Sequence, residues 1–196
     1  DVDRSRGLGD VYKRQVTTIT AAIRNKVKRI VYCSSMARYG HHDQMPYKET
    51  YECRPQDPYG IAKKAGEDVL RNLCDTHGVE YVIAVPHNIV GPRQKYDDPF
   101  RNVMSIMLNR MLQGKQPIIY GDGEQQRCFS YIDDCLYCLN ALAFQDNVVG
   151  EVINIGPDEE PITINQLAEA CANETGLNLD PIHHKDRPKE VKLAVC

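Results

Sequence analysis

Tyr59 and Lys63 stand four residues apart, behind Asp57-Pro58 and ahead of a run of helix-forming residues. On a helix that spacing puts both side chains on one face, a turn from each other. A phenol ionises near pH ~10 and is a poor base at neutrality. A cation one turn away, at the positive end of a helix, stabilises the phenolate and makes the phenol a usable proton acceptor. Twenty-odd residues earlier the apolar run Ile30-Val31-Tyr32-Cys33 ends in Ser34-Ser35. A short apolar run bounded by charge and serines suits a buried parallel strand. A serine at its end can hydrogen-bond the same reacting oxygen as the phenol. Ser35, Tyr59 and Lys63 so placed form a proton-handling site.

The elements that must hold these groups are legible. Asp57 is an N-cap and Pro58 a first helical residue, so a helix is expected over Pro58 to about His77, with Ile61, Val69, Leu70 and Leu73 apolar and Gly78 as its stop. Val16 to Lys26 reads as the end of a helix leading into the first strand, and Glu80 to Val85 as a second buried strand. Tyr39 to Gln56 is polar and broken by prolines, a loop passing over the site. Helix, strand, helix, strand indicates a doubly wound parallel sheet, in which ligands bind at the carboxyl ends of the strands. Further on, Asn102 to Gln113 is an amphipathic helix, Ile118 to Tyr120 a short strand, Cys135 to Phe144 a helix capped by Asp133 and Asp134, and Glu151 to Asn154 a strand. Thr163-x-x-Gln166 is a capping box opening a helix to about Thr175.

The joint pattern, Ser34-Ser35-Met36-Ala37-Arg38-Tyr39-Gly40 followed by Pro58-Tyr59-x-x-x-Lys63, resembles the extended short-chain dehydrogenase/reductases in their nucleotide-sugar epimerase branch, nearest the UDP-glucose 4-epimerase-like members. The resemblance implies a Rossmann-type nucleotide domain with a smaller α/β substrate-binding domain, NAD as cofactor, and a nucleotide sugar, foremost a UDP-sugar, as substrate. It implies Ser35, Tyr59 and Lys63 as the catalytic set, with Lys63 also holding the nicotinamide ribose. Pro86-His87-Asn88-Ile89-Val90-Gly91-Pro92-Arg93-Gln94 resembles the loop that follows, with Asn88 on the sugar nucleotide. His87 is there either a nicotinamide neighbour or a plain loop histidine. By the same resemblance Asn102 and Arg127 contact the diphosphate, Tyr120 lies against the base, and Arg187 is a second diphosphate arginine. Cys128 departs from the acidic residue usual after Arg127, and Met36-Ala37 from the carboxylates that dehydratases and decarboxylases place after the strand-end serine. A 4-epimerase needs none, so 4-epimerisation asks least of these residues. A decarboxylase, dehydratase or reductase is the nearest alternative. A dinucleotide-binding sensor and a structural helix-pairing role are the more distant ones.

The domain expectation follows: residues 16–86 the later part of the NAD-binding domain, and residues 87–196 mostly substrate-binding, with 132–155 returning to the first. Asp10-Val11-Tyr12-Lys13-Arg14-Gln15 resembles the translation of a library adapter, so Asp1 to Gln15 is set aside from fold reasoning as an assembly scar. The glycine-rich loop that holds the dinucleotide pyrophosphate is not among these residues, so the chain is expected to be a fragment of a longer enzyme and inactive alone. A formal charge of −3 with mixed signs gives no basic field for nucleic acid. No apolar run approaches the ~20 residues that span a bilayer. Eight cysteines without a framework, Cys33, Cys74 and Cys171 among them in apolar patterns, suit reduced, buried thiols in a cytoplasmic protein. Cys135-x-x-Cys138 has no second pair to make a zinc site, and the adjacent pairs His41-His42 and His183-His184 read as solvated loop residues, so no metal is expected. Pairing of the Tyr59-bearing helix and its neighbour implies, by the same resemblance, a homodimer.

Overall fold

A computed structural model describes residues 2–97, 102–177, 180–186 and 192–195. The chain divides into two compact units, Asp1–His87 with Asp134–Ile155, and Asn88–Asp133 with Gly156–Val195.

The first unit is built on a parallel sheet. Strands β1 (Arg29–Cys33) and β2 (Glu80–Pro86) pair in parallel, Ile30 opposite Tyr81 and Cys33 opposite Ala84. On its other side β2 pairs in parallel with a later strand, Val152–Ile155. Val82, Ile83, Ala84 and Val85 are buried without remainder, as befits a central strand covered on both faces. Arg29, at the start of β1, is pinned by Glu80 (2.8 Å) and by the carbonyl of Gln145 (2.6 Å).

Helix α1 (Val2–Arg24) precedes β1 and packs on α2 (Pro58–His77). Val16 to Arg24 is its end, as expected, and the helix extends upstream of Val16 into the residues set aside from fold reasoning. No proline interrupts that stretch, so nothing covalent ends the helix sooner. Helix α2 has the expected limits because both ends carry local chemistry. The Asp57 carboxylate accepts from the amide of Gly60 at 2.8 Å, and Gly78 sits at φ 66°, its N–H closing back on Cys74. Its inward face differs from expectation. Ile61 is 55% exposed, whereas Gly66, Glu67, Leu70 and Cys74 are buried. The sheet lies under the stripe that includes Leu70 and Cys74, and Ile61 falls outside it. A Cβ on Gly66 would lie 2.2 Å from the hydroxyl of Tyr32, so glycine is what lets strand and helix approach.

The loop after Tyr39 is tied down by aromatic residues. Tyr39 and Tyr47 are buried and stacked, ring centroids 5.4 Å apart, and both answer to Asn154 on the last strand of the sheet. Tyr39 donates to Asn154 Oδ1 at 2.8 Å, and Asn154 Nδ2 donates to the Tyr47 carbonyl at 2.9 Å. Cys33 is exposed, contrary to expectation, while Cys74 and Cys171 are buried. It closes β1 with its side chain on the opposite face from buried Tyr32.

The second unit has its own core. Helices α3 (Val103–Leu112) and α5 (Ile164–Thr175) pack together, burying Met107, Met111, Ile119 and Leu167. Leu112, at the end of α3, is 70% exposed. The capping box forms as read, Thr163 Oγ1 accepting from the Gln166 amide and the Gln166 side chain from the Thr163 amide. Among the described residues the unit also has three small sheets. Strand β3 (Ile89–Val90) pairs with β6 (Ser130–Tyr131), and β4 (Ile118–Tyr120) pairs with Ile182–His184, both in parallel. Strand β5 (Gln126–Arg127) lies between Ile162–Thr163 and Leu193–Ala194. His183 and His184 are thus strand residues, not loop residues, though still exposed. Helix α4 runs Ile132–Phe144, so Asp133 and Asp134 do not cap it from outside. They lie within its first turn, where carboxylates complement the positive end of the helix.

Candidate functional site

In the first unit the chemistry-bearing residues gather at the carboxyl end of β1. Tyr59 is the second residue of α2 and is 38% exposed, so its phenol is open to a ligand. Lys63 follows one turn later, with Nζ 5.8 Å from the centre of the Tyr59 ring and 5.5 Å from that of Tyr32. One of its three N–H donors is spent on the carbonyl of Cys33 at 2.9 Å. Burial pushes the Lys63 ammonium below the usual lysine value, and the adjacent Cys33 and Glu67 push it back up. Ser35 lies two residues past the end of β1. Its Oγ accepts from the amide of Ala37 at 3.3 Å, capping the single 3-10 turn Met36–Arg38 and leaving the hydroxyl proton to give.

Helix and turn meet at Gly60. A Cβ there would fall 2.6 Å from the carbonyl oxygen of Ala37, so the residue after Tyr59 has to be glycine for α2 to reach the Ser35 turn. The turn that carries Ser35 and the helix that carries Tyr59 and Lys63 thus abut at Ala37 and Gly60.

His87 follows directly on β2, the strand beside β1. It is 3% exposed, and its amide donates to Ile155 at 2.9 Å. It is thus a loop residue, buried just beyond the carboxyl end of β2.

One residue of this region, Glu67, lacked any reading in the sequence. Glu67, fully buried on α2, accepts a short hydrogen bond from Ser34 Oγ and faces Arg38 Nη2 at 3.0 Å. Glu67 continues the Tyr59–Lys63 series by a further four residues, and that spacing was the available signal.

The second unit holds the other expected ligands. Asn88 follows directly on His87, at φ 39°, a left-handed conformation that asparagine tolerates better than most residues. Its Nδ2 donates to the Cys128 carbonyl at 3.0 Å and its own carbonyl accepts from the Ser130 amide. This fixes Asn88 beside the segment that carries Arg127. The Arg127 guanidinium, on β5, donates to the carbonyl of Gln126 at 2.7 Å. Asn102 is the N-cap of α3, its Oδ1 accepting from the Met104 amide at 3.0 Å. Tyr120 ends β4 with its ring 5.8 Å from that of His184. Asn102 and Tyr120 thus stand on separate elements of this unit. Arg187 lies outside the described residues. Burial raises the Cys128 thiol above its ordinary value, helped by Glu159 and Glu160, so this residue is a neutral filler next to Arg127.

The sequence model of the NAD dependent epimerase/dehydratase family matches residues 11–156. The chain belongs to this family. The match takes in Ser35, Tyr59, Lys63, His87, Asn88, Asn102, Tyr120 and Arg127, and stops short of Arg187. Among individual family members, the putative UDP-glucose 4-epimerase of Methanocaldococcus jannaschii is 35% identical over 168 residues, covering 84% of this chain and 53% of that protein. The structure of UDP-N-acetylglucosamine 4-epimerase from Methanobrevibacter ruminantium M1, in complex with UDP-N-acetylmuramic acid, superposes with a TM-score of 0.86 at 30% identity, over 93% of this chain and 58% of that one. UDP-glucuronic acid 4-epimerase from Bacillus cereus, in complex with UDP-glucuronic acid and NAD, superposes with a TM-score of 0.83 at 28% identity, over 93% of this chain and 56% of that one. The chain thus spans a little over half the length of these relatives. The Rossmann-type α/β fold expected of the sequence is the fold of these epimerases. Among the described residues, no helix is long and apolar enough to cross a membrane.

Proposed function

We propose that the protein carrying this chain is an NAD-dependent nucleotide-sugar epimerase that inverts C4 of a UDP-hexose or UDP-hexuronate. The observation that carries this reading is the Tyr59–Lys63 pair at the carboxyl end of a parallel sheet, with the Ser35 turn packed against Gly60. The donor set suits a nicotinamide dinucleotide. An open phenol, an ammonium with donors to spare and the buried His87 stand at the end of the sheet where α/β proteins bind such groups. Lys63 and His87 would hold it, and it would supply a reversible hydride acceptor for the sugar carbon.

The remaining steps belong to the chain. Tyr59, as phenolate, accepts the proton of the sugar hydroxyl and later returns it. Lys63 keeps the phenolate charged by proximity. Ser35 donates a hydrogen bond to the same oxygen and orients the sugar. Between proton removal and return the 4-keto sugar turns over in the pocket, which requires no further acid or base. Met36 and Ala37 accordingly bring no carboxyl group after Ser35. Asn88 is proposed to bind the sugar nucleotide, Tyr120 its base, and Asn102, Arg127 and Arg187 its diphosphate, the arginines through bidentate contacts to phosphate oxygens.

The parent protein is further proposed to be a cytoplasmic homodimer. Its thiols are free among the described residues, and Ile61 on α2 offers apolar surface for a second copy.

The test is product analysis. The full-length protein, with NAD, is given UDP-glucose or UDP-glucuronate and the anomeric proton signals are followed. The 4-epimer is expected. Loss of carbon dioxide or a stable keto sugar would move the reading to a decarboxylase or dehydratase, and no turnover with NAD still bound would favour a sensor.

A further inference from the structure

Glu67 is the most buried carboxylate of the first unit, its side chain wholly excluded from solvent. Burying a carboxylate costs several kcal/mol unless it is paired and hydrogen-bonded. Both of its partners come from one short segment. Ser34 donates to Oε1, and Arg38 Nη2 lies 3.0 Å from Oε2. Arg38 is itself buried, with Nε 3.1 Å from Cys53 Sγ and its guanidinium 5.1 Å from the centre of the Tyr39 ring. Ser34 and Arg38 bracket Ser35. The residue expected to hold the sugar hydroxyl therefore sits in a segment gripped at both ends by a single carboxylate of α2. At Gly60 the same segment meets the same helix through backbone alone. Tyr59, Lys63 and Glu67 share one stripe of α2, so whatever fixes the segment to Glu67 fixes Ser35 relative to Tyr59 and Lys63.

We propose that Glu67 and Arg38 are positioning residues, whose buried pair sets the place of Ser35 against Tyr59 and Lys63. This rests on the function proposed above. Buried ion pairs replaced by apolar residues of similar volume often leave a fold as stable or more so, whereas removal of one partner alone is destabilising. The pair supplies a fixed distance between two elements, and a misplacement of ~1 Å at a reacting centre costs on the order of 100-fold in rate. The carboxylate also offsets part of the burial that disfavours charge on Lys63.

The test uses the full-length, NAD-loaded protein with Glu67→Gln and with the double variant Glu67→Leu/Arg38→Met, which refills the volume with apolar atoms. Two quantities are read. The first is kcat and KM with the nucleotide sugar. The second, independent of turnover, is amide hydrogen exchange at Arg38 and Tyr39 relative to Val82–Val85. The expected result is a kcat lower by about 10- to 100-fold with KM within about twofold. Exchange at Arg38 and Tyr39 is expected to be at least about tenfold faster while the β2 amides keep their protection. The double variant, folded and as stable as the parent, is expected to remain slow. Wild-type kcat and wild-type exchange in that variant would overturn the proposal, as would acceleration spread evenly over segment and strand. If the unmodified protein turns over no nucleotide sugar, the proposed function fails, and the exchange comparison alone still decides whether the pair fixes the segment.

Discussion

The ammonium of Lys63 donates to the carbonyl of Cys33 at 2.9 Å while standing 5.8 Å from the centre of the Tyr59 ring. One cation thus links the last residue of β1 to the first turn of α2. Replacing Lys63 by Met keeps much of the stem and removes both the charge and the link. The acid limb of kcat against pH is then expected to move to higher pH, because without the cation the phenolate forms only in more alkaline solution. At pH 7 kcat should fall by at least about 100-fold, with partial recovery toward pH 9. A pH–rate profile of the variant checks this.

Gly60→Ala is expected to separate the two elements of the site. Its Cβ would lie 2.6 Å from the Ala37 carbonyl oxygen, which is backbone and cannot swing aside. Overpacking of this kind costs about 1–3 kcal/mol. Because the displaced contact lies between Tyr59 and the Ser35 turn, activity is expected to fall further than the loss of folded protein explains. Thermal melting and kcat measured on the same preparation give both quantities.

Gly66→Ala strikes a side chain instead. The new Cβ would meet the Tyr32 hydroxyl at 2.2 Å, the same hydroxyl that donates to the Lys63 carbonyl at 3.1 Å. Gly66→Ala alone should destabilise by about 1–3 kcal/mol. In a Tyr32→Phe background the clash loses its atom, and the penalty is expected to shrink by about 1 kcal/mol or more. A double-mutant cycle in urea tests the coupling, and simple additivity would refute it.

Much of this was legible because the signals are local. The limits of α2 follow from Asp57, Pro58 and Gly78, and the start of α5 from the Thr163–Gln166 box, since a cap is chemistry between residues three or four apart. Strands β1, β2, β4 and Val152–Ile155 were readable from short apolar runs, and the Tyr59–Lys63 pairing from spacing along one helix. What escaped depends on partners distant in sequence. Glu67 looks like a solvated helix residue until Ser34 and Arg38 are placed against it. Ile61 looks like core by periodicity and is exposed because the sheet lies under another stripe of α2. His183 and His184 join a strand only because β4, more than sixty residues earlier in the chain, accepts them in register. The polar look of residues 39–56 concealed two tyrosines anchored through Asn154.

Tyr39 carries a pH prediction. Its buried phenol is pushed up to about 12, chiefly by burial, against an ordinary value of 10.0. The folded state thus holds the proton more tightly than the unfolded chain. The associated stability is fully present below pH 10 and is lost as pH rises from 10 toward 12. Tyr39→Phe removes this group from the titration, so the fall in stability over that window is expected to be shallower in the variant. At neutral pH the variant should be weaker by about 1 kcal/mol through the lost bond to Asn154. Urea midpoints at pH 7 and pH 10.5 measure both effects.

The most direct measurement concerns the hydride and the proton together. The full-length protein, with bound NAD, is given UDP-glucose deuterated at C4, beside a Tyr59→Phe variant loaded to the same NAD content. The expected result is UDP-galactose that keeps its deuterium at C4, formed by the unmodified protein and slower by at least about 100-fold in the variant. Deuterium lost to solvent, or equal rates in the two proteins, would contradict a reversible oxidation at C4 driven by proton transfer to Tyr59.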